Sequence, residues 1–132
     1  MKEIPNIKFH YSAIESFNKF KYGDVVTCNN NRYLIIRAGR WSSQLGKYLY
    51  DIININTNIV YEGQNLSVYK LDTIRTILHG STVYYDGYPY VADGNSYFEY
   101  DGGVIEMVRL QLRDRSVIFK EIVVNVKDVI TI

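Results

Sequence analysis

An internal repeat with a period of 57 residues is the feature that most constrains the fold of this 132-residue chain. When the chain is aligned with itself at that spacing, some identical residues coincide, apolar residues coincide with apolar residues, and one predicted turn coincides with another. The paired positions are Gly23/Gly80, Val26/Val83, Tyr33/Tyr90, Ile53/Leu110, Ile55/Leu112 and Val60/Val117, and the turn at 56–58 meets 113–115. Self-similarity at a fixed period indicates two copies of one supersecondary unit.

The last part of the chain fits the repeat after a two-residue deletion in the second copy. The closing apolar residues then pair as Leu71/Val126, Ile74/Val129 and Ile77/Ile132. Both copies are therefore predicted to end on an apolar strand.

Short runs of β-branched and aromatic residues, separated by turn residues, predict an all-β fold from Tyr22 onward. Asparagines at 29–31 and around 56–58 indicate hairpin turns, because Asn tolerates positive φ. Ile53 alternates with Asn54, which predicts a strand with one face in water. The strands predicted in the first copy are 24–28, 32–38, 47–54, 59–61 and 73–77.

The N-terminal segment is predicted to carry one short helix. Ser12 and Glu15 have the spacing of a capping box, and Ile14 and Phe17 fit one face of a helix. This helix precedes the first predicted strand.

Residues 20–26 read Phe-Lys-Tyr-Gly-Asp-Val-Val and are followed by a hairpin, a long loop, a second hairpin and a short closing strand. This order resembles the SH3-like small barrels, a group that includes KOW-type and Tudor-like modules. The resemblance implies two tandem, partly open, five-stranded barrels of a kind that usually bind proteins, peptides or nucleic acids. The domains expected from it are an N-terminal extension at 1–21, a first barrel at 22–77 and a second barrel at 78–132.

Charge and composition narrow the functional classes. A formal net charge of +1 argues against non-specific nucleic-acid or membrane-surface binding as the main function. The N-terminus has no apolar signal segment, and the single cysteine, Cys28, suits a reducing compartment, so a cytoplasmic location is predicted. The frequent Asn, Ile, Lys and Tyr residues fit AT-rich coding sequence, as in a low-GC bacterium, its phage or another mobile element.

The residues that enzymes use are sparse. His10 and His79 are the only histidines and lie in no nucleophile motif, and with Cys28 they lack the spacing of a zinc site. The two glycines at 102–103 lack the lysine of a phosphate-binding loop, and Glu99 with Asp101 fits a solvated loop. The sequence predicts no enzymatic activity, no metal and no cofactor.

Two long loops of opposite charge are the first candidate binding surfaces. Residues 37–47 carry three cations and no acid, whereas residues 93–103 carry three acids and no base. Either the loops face each other, or a partner presents complementary charge to one of them. Because Trp, Tyr and Arg dominate interface hot spots, the predicted contact residues here are Arg40, Trp41, Tyr97, Phe98 and Tyr100.

The aromatic hairpin at 84–90 is a second candidate. Either Tyr84 and Tyr90 face the core while Tyr85 and Tyr88 face water, or the reverse. Exposed aromatics of this kind form a peptide groove or a cation cage, whereas buried ones are ordinary sheet packing. Tyr85 and Tyr88 are added to the predicted protein contacts.

The leading hypothesis is a non-enzymatic protein-interaction module, of the type a phage or mobile element uses to bind and modulate a host protein, acting as a monomer or homodimer. The alternative is an RNA- or DNA-binding pair of barrels with a basic stripe. Asp114 and Glu121 reduce the net positive charge of that stripe. Its candidate residues are Arg37, Arg40, Lys47, Arg109, Arg113 and Arg115.

Overall fold

The computed structural model describes residues 20–112 and 121–131. Its described elements are β-strands and one short 3-10 helix, so the fold is all-β, as predicted. The helix expected around Ser12 lies outside the described residues. The strands before residue 72 are β1 Val25–Cys28, β2 Asn31–Ser42, β3 Lys47–Asn54, β4 Val60–Gln64 and β5 Lys70–Leu71. The later elements are β6 Thr82–Tyr85, β7 Tyr88–Ala92, β8 Tyr97–Tyr100, β9 Val104–Leu112, β10 Glu121–Asn125, η1 Val126–Asp128 and β11 Ile130–Thr131.

The chain divides into two compact units, Met1–Asp72 and Thr73–Ile132. In the first unit the strand order is β4-β3-β2-β1-β5. In the second it is β10-β9-β7-β6-β11, with β8 paired to β9. The sheets are curled in the manner of a half-barrel, which is compatible with a small β-barrel fold.

The 57-residue period holds in the backbone of the first two strands of each unit. The N–H of Gly23 donates to the carbonyl of Ile35 at 3.0 Å, and the N–H of Gly80 donates to the carbonyl of Ala92 at 2.9 Å. Both glycines have positive φ, +91° and +85°, a conformation that other residues rarely adopt. The repeated glycine therefore marks a repeated turn.

The period lengthens by one residue in the third strand, which corrects the predicted pairing. Ile35 lies opposite Ile52 in the first unit, and Ala92 lies opposite Leu110 in the second. Ile52, and not Ile53, is thus the counterpart of Leu110. Ile52 and Leu110 both belong to the buried core of their unit.

The predicted two-residue deletion at the end of the repeat is wrong. Leu71 pairs with Val26, and Thr131 pairs with Val83, so Thr131 is the counterpart of Leu71. The second copy has gained residues between its third and last strands. Sequence alignment of apolar residues missed this, because the hydrogen-bonded register decides equivalence and an insertion lies in a connection.

The strand predicted at 73–77 is also wrong. The closing strand of the first unit is the shorter Lys70–Leu71, and residues 73–77 form no strand. Ile77 instead packs in the core of the second unit with Val83 and Leu110. Ile77 is apolar because it packs in that core, and not because it belongs to the first sheet.

A polar network holds this connecting segment against the second unit. The Glu106 carboxylate accepts hydrogen bonds from the Thr76 hydroxyl at 2.6 Å and from the Ser96 hydroxyl at 2.5 Å. The Ser96 hydroxyl in turn accepts the Ile77 N–H at 3.1 Å. Glu106 also accepts the N–H of Thr76 at 2.9 Å, so the N–H groups of Thr76 and Ile77 bond to side chains and not to a neighbouring strand.

Each unit has its own apolar core. The buried core residues of the first unit are Phe20, Val26, Ile35, Tyr50, Ile52 and Leu66. Those of the second unit are Ile77, Val83, Tyr90, Ala92, Val108, Leu110 and Val124.

The wet face predicted for β3 is wrong at Asn54. Residues 50–54 are all buried, so this strand is covered on both faces. The Asn54 side-chain oxygen accepts the N–H groups of Asn56 and Thr57 at 2.9 and 3.1 Å. Asn54 is polar because it caps the following turn, and this satisfies its buried oxygen.

Candidate functional site

The cationic segment predicted to be a loop is the end of a long hairpin. β2 runs to Ser42, well past the predicted end at residue 38, and β3 begins at Lys47. The last two cross-strand pairs are Trp41 with Tyr48 and Ser42 with Lys47. We call residues 37–51 the hairpin arm.

The tip of the hairpin arm exposes apolar side chains. Trp41 is 46 % exposed and packs edge-to-face on Tyr48, with ring centroids 5.3 Å apart. Leu45, in the turn between the strands, is 61 % exposed. Because Trp41 and Tyr48 are directly opposite on neighbouring strands, their rings share one face of the arm.

A buried carboxylate fixes the base of the arm. Asp51 is 2 % exposed, and its Oδ1 lies 2.9 Å from Nη2 of Arg40. Its Oδ2 lies 3.2 Å from Nη1 of Arg37 and has no well-aligned hydrogen bond among the described residues. The N–H of Gly63 also donates to Oδ1, at 3.0 Å. Asp51 therefore ties both strands of the arm to β4.

A β-bulge makes room for the Gly63 contact. Tyr50 pairs with Gln64 and Ile52 pairs with Tyr61, so two residues of β4 lie opposite Asp51. Gly63 has a φ of +62°, which glycine adopts without strain and which turns its N–H toward the carboxylate. Two sequence signals mark this contact, an aspartate within an apolar run and a glycine within a strand, and neither Asp51 nor Gly63 was among the predicted site residues.

The hairpin arm is less basic than its sequence indicates. Arg37 and Arg40 share the carboxylate of Asp51, which lies beyond the segment 37–47 considered in the sequence analysis. Asp51 balances one of the two guanidiniums. The arm therefore keeps the positive charge of the other guanidinium and that of the half-buried Lys47. Among the candidates, Arg40 and Trp41 both lie on the arm, but their side chains are on opposite faces of it, because successive residues of a strand alternate.

The predicted acidic loop in the second unit includes strand β8. Tyr97 is half-buried and Tyr100 is exposed. Phe98 is buried, and the guanidinium of Arg75 lies 5.2 Å from the centre of its ring. Phe98 therefore packs within the unit and offers little surface to a partner.

The aromatic hairpin follows neither predicted arrangement. Tyr90 is buried in the core, and Tyr85 packs edge-to-face on it, with centroids 6.2 Å apart. Tyr84 and Tyr88 are exposed. Val83 lies opposite Tyr90, and Tyr85 lies opposite Tyr88, so residues 83, 85, 88 and 90 share one face. Tyr88 is nevertheless exposed, because it is the residue of that face nearest the turn.

The basic stripe predicted for the nucleic-acid alternative is only partly described. Nε of Arg109 lies 3.4 Å from a carboxylate oxygen of Glu121. Arg113 and Arg115 lie outside the described residues. Arg109 therefore forms an ion pair with Glu121, which reduces the positive charge of the predicted stripe.

Three tyrosines pack together beside the first core, and two of them, Tyr33 and Tyr69, contact it. Tyr33 packs edge-to-face on Tyr61 and on Tyr69, with centroids 6.1 and 5.7 Å apart. Burial raises the pKa of Tyr69, and the Cys28 thiol and the other two phenols raise this pKa further. The cluster therefore favours the neutral phenol.

We expect the chain to lose stability as the pH rises above 10.0, the unperturbed pKa of tyrosine. The raised pKa of Tyr69 means that the folded chain keeps a proton that the unfolded chain releases, so the free energy of unfolding falls with pH there. Tyr69→Phe should reduce this fall. Urea unfolding at about pH 8 and about pH 11 measures it, with Tyr88→Phe as the exposed control. An equal fall in both variants would contradict the assignment.

Neither a metal-binding cluster nor a membrane-spanning helix occurs in the part of the chain that the structure describes. Residues 20–112 and 121–131 contain no group of three or more His, Cys, Asp or Glu side chains that could hold a metal ion. Over those residues there is also no helix with the length and apolarity needed to cross a membrane.

The hairpin arm is the best-defined candidate site, since it combines exposed aromatic and cationic side chains with a fixed base.

Comparison of the chain with protein-family models, curated proteins and solved structures finds no match.

Proposed function

We propose that this protein is a non-enzymatic module that binds another protein through the hairpin arm of its first unit. The observation that carries the proposal is the exposed Trp41 ring, which packs on half-buried Tyr48 at the tip of an arm whose base is held by buried Asp51. Trp, Tyr and Arg are the residues most enriched in interface hot spots. The arm presents all three within a few residues.

The contacts that hold the base of the arm support the proposal. Binding costs free energy when loops and side chains must be ordered, and a surface that is already ordered avoids part of that cost. Arg37, Arg40 and Gly63 hold the arm through Asp51. The Trp41 ring is further restricted by its contact with Tyr48.

The finer fold that we propose is a tandem of SH3-like barrels whose two copies have diverged. The repeated turn glycines support a common origin for the first two strands of each copy. In the second copy the strand that matches β2 stops at Ala92 and resumes at Tyr97. The second copy thus lacks the continuous long strand from which the arm extends.

We further propose that the partner is a host protein and that the module belongs to a phage or mobile element acting in the cytoplasm. The residue composition, rich in Asn, Ile, Lys and Tyr, supports this origin. Nucleic-acid binding is the alternative function, and the specific observation in its favour is the exposure of the Arg37 and Arg40 side chains, 64 % and 50 %.

Trp41→Ala should weaken partner binding by at least about 30-fold, since truncating a hot-spot residue costs 2 kcal/mol or more. The measurement is affinity capture from a low-GC bacterial lysate, with and without nuclease, followed by titration of the captured protein. Tyr84→Ala is the matched control, because Tyr84 is an exposed aromatic on a hairpin of the second unit and is not one of the predicted contacts.

Equal capture by wild type and Trp41→Ala would exclude the arm as the contact. A signal that disappears with nuclease would favour the nucleic-acid alternative.

A further inference from the structure

Trp41 lies at the outer end of a row of aromatic side chains in the first unit. Tyr48 and Tyr50 lie on one face of β3, because alternate residues of a strand point to the same side of a sheet. Trp41 packs on Tyr48, and Phe20 packs edge-to-face on Tyr50, with ring centroids 6.0 Å apart. The row therefore runs from the tip of the hairpin arm to the core of the first unit.

Exposure increases along this row toward the tip of the arm. Phe20 and Tyr50 are buried in the core, whereas Tyr48 is only half-buried. Trp41, beyond Tyr48, is exposed. The described residues thus cover the inner end of the row and leave an apolar surface at its outer end. A surface of this kind accepts a further apolar segment, because the contact removes apolar area of both from water.

The described part of the chain begins at the same row. Phe20 is its first residue, and the N–H of Phe20 donates to the Tyr50 hydroxyl at 3.4 Å. Residues 1–19 precede it in the sequence. The Cα atoms of Tyr48 and Tyr50 are about 7 Å apart along the strand, whereas three residues of extended chain span about 10 Å. The residues just before Phe20 can therefore reach the outer end of the row.

The preceding segment carries apolar side chains at a suitable spacing. Ile14 and Phe17 lie six and three positions before Phe20, and the sequence predicts that both lie on one face of a short helix. In a helix that ends near Phe20, residues three apart are neighbours on one side. Ile14 and Phe17 then lie on the side of Phe20, which is the side of the aromatic row.

From this juxtaposition we infer that residues 1–19 of the same chain pack on the outer end of the row, with Phe17 against Trp41 and Tyr48. The segment then competes with the partner protein for Trp41, and the partner displaces it. This competition rests on the proposed function, whereas the intramolecular contact does not. A short tether gives the segment an effective concentration in the millimolar range, so that a weak contact is sufficient.

The test uses the full chain and the fluorescence of Trp41, which is its single tryptophan. Phe17→Ala should reduce the equilibrium constant of the contact by about 2- to 10-fold, the factor expected for loss of one aromatic pair. The Trp41 emission should then shift to longer wavelength, and acrylamide should quench it more strongly, because the indole gains contact with water. The measurement is repeated after dilution of the protein, which weakens a contact between two copies and leaves a contact within one chain unchanged.

Asn18→Ala is the matched control. It introduces alanine next to Phe17, at a position that lies on the opposite side of such a helix from Phe20. We expect it to leave the Trp41 emission and quenching unchanged. Urea midpoints verify that the variants fold, and Ile14→Ala provides a second reading if Phe17→Ala is unfolded.

Three results would overturn the inference: unchanged Trp41 emission and quenching in folded Phe17→Ala and Ile14→Ala, an equal change in Asn18→Ala, or a wild-type signal that changes on dilution, which would assign the contact to a second copy. All three leave the proposed function standing if capture of a protein still depends on Trp41. If that capture holds, Phe17→Ala should also tighten partner binding by up to about tenfold. A Trp41 signal that responds to Phe17→Ala without any captured protein would support the contact and count against the proposed function alone.

Discussion

Ile52→Ala should lower the free energy of unfolding by about 2–5 kcal/mol, and Leu110→Ala should do the same, because each deletes buried methyl groups from a closed core. Both side chains are almost fully buried, and they occupy equivalent positions in the two units. The size of each loss depends on how far the surrounding residues can close the cavity.

Urea unfolding measures both losses, and amide hydrogen exchange shows which unit has loosened. Val60→Ala, at an exposed position of β4, is the control and should cost less than about 0.5 kcal/mol. If Ile52→Ala unfolds the chain, Ile52→Val should still give about 0.5–1.5 kcal/mol. A loss of protection confined to the second unit in the Ile52 variants would contradict the assignment of this residue to the first core.

Replacing Arg37 and Arg40 together by alanine should destabilise the chain by about 3 kcal/mol, the lower end of the range for breaking a buried ion pair. The variant leaves the Asp51 carboxylate buried with the Gly63 N–H as its remaining described partner. The lower end applies because both arginines are half or more exposed and water screens their charges.

The coupling is measured by repeating the double replacement in an Asp51→Asn background. There the buried charge is gone, so the two arginines should contribute less than about 1 kcal/mol. Arg109→Ala is the control for an exposed pair, since Arg109 contacts Glu121 at the surface. Equal costs with and without the Asp51 charge would mean that the arginines stabilise the arm by packing alone.

Local pattern was sufficient for much of the first sheet. The sequence predicted β3 at its observed bounds, 47–54, because its apolar run lies between clear turn residues. It predicted the tight turn at Asn29 and Asn30, which both have positive φ. It also singled out Trp41 and Arg40 by residue type, and both are exposed on the hairpin arm.

Other features depended on contacts between distant residues. Ile77 has the same apolar character whether it closes the first sheet or fills the second core, and only its packing with Val83 and Leu110 decides between them. Tyr85 and Tyr90 lie among other tyrosines in the same hairpin, and residue type does not distinguish them. The cross-strand register decides that these two face the core.

Asp51 shows most clearly the difference between what the sequence determines and what only the tertiary structure decides. The sequence by itself determined an all-β chain in which the turn at Gly23 recurs at Gly80, because turn glycines, asparagines and alternating apolar residues act over a few positions. Only the tertiary structure decided that a bulge at Gly63 brings a backbone N–H to a buried carboxylate, and that this carboxylate holds Arg37 and Arg40. Such a contact joins three strands whose spacing along the chain carries no periodic signal, so it exists only once the register of the sheet is set.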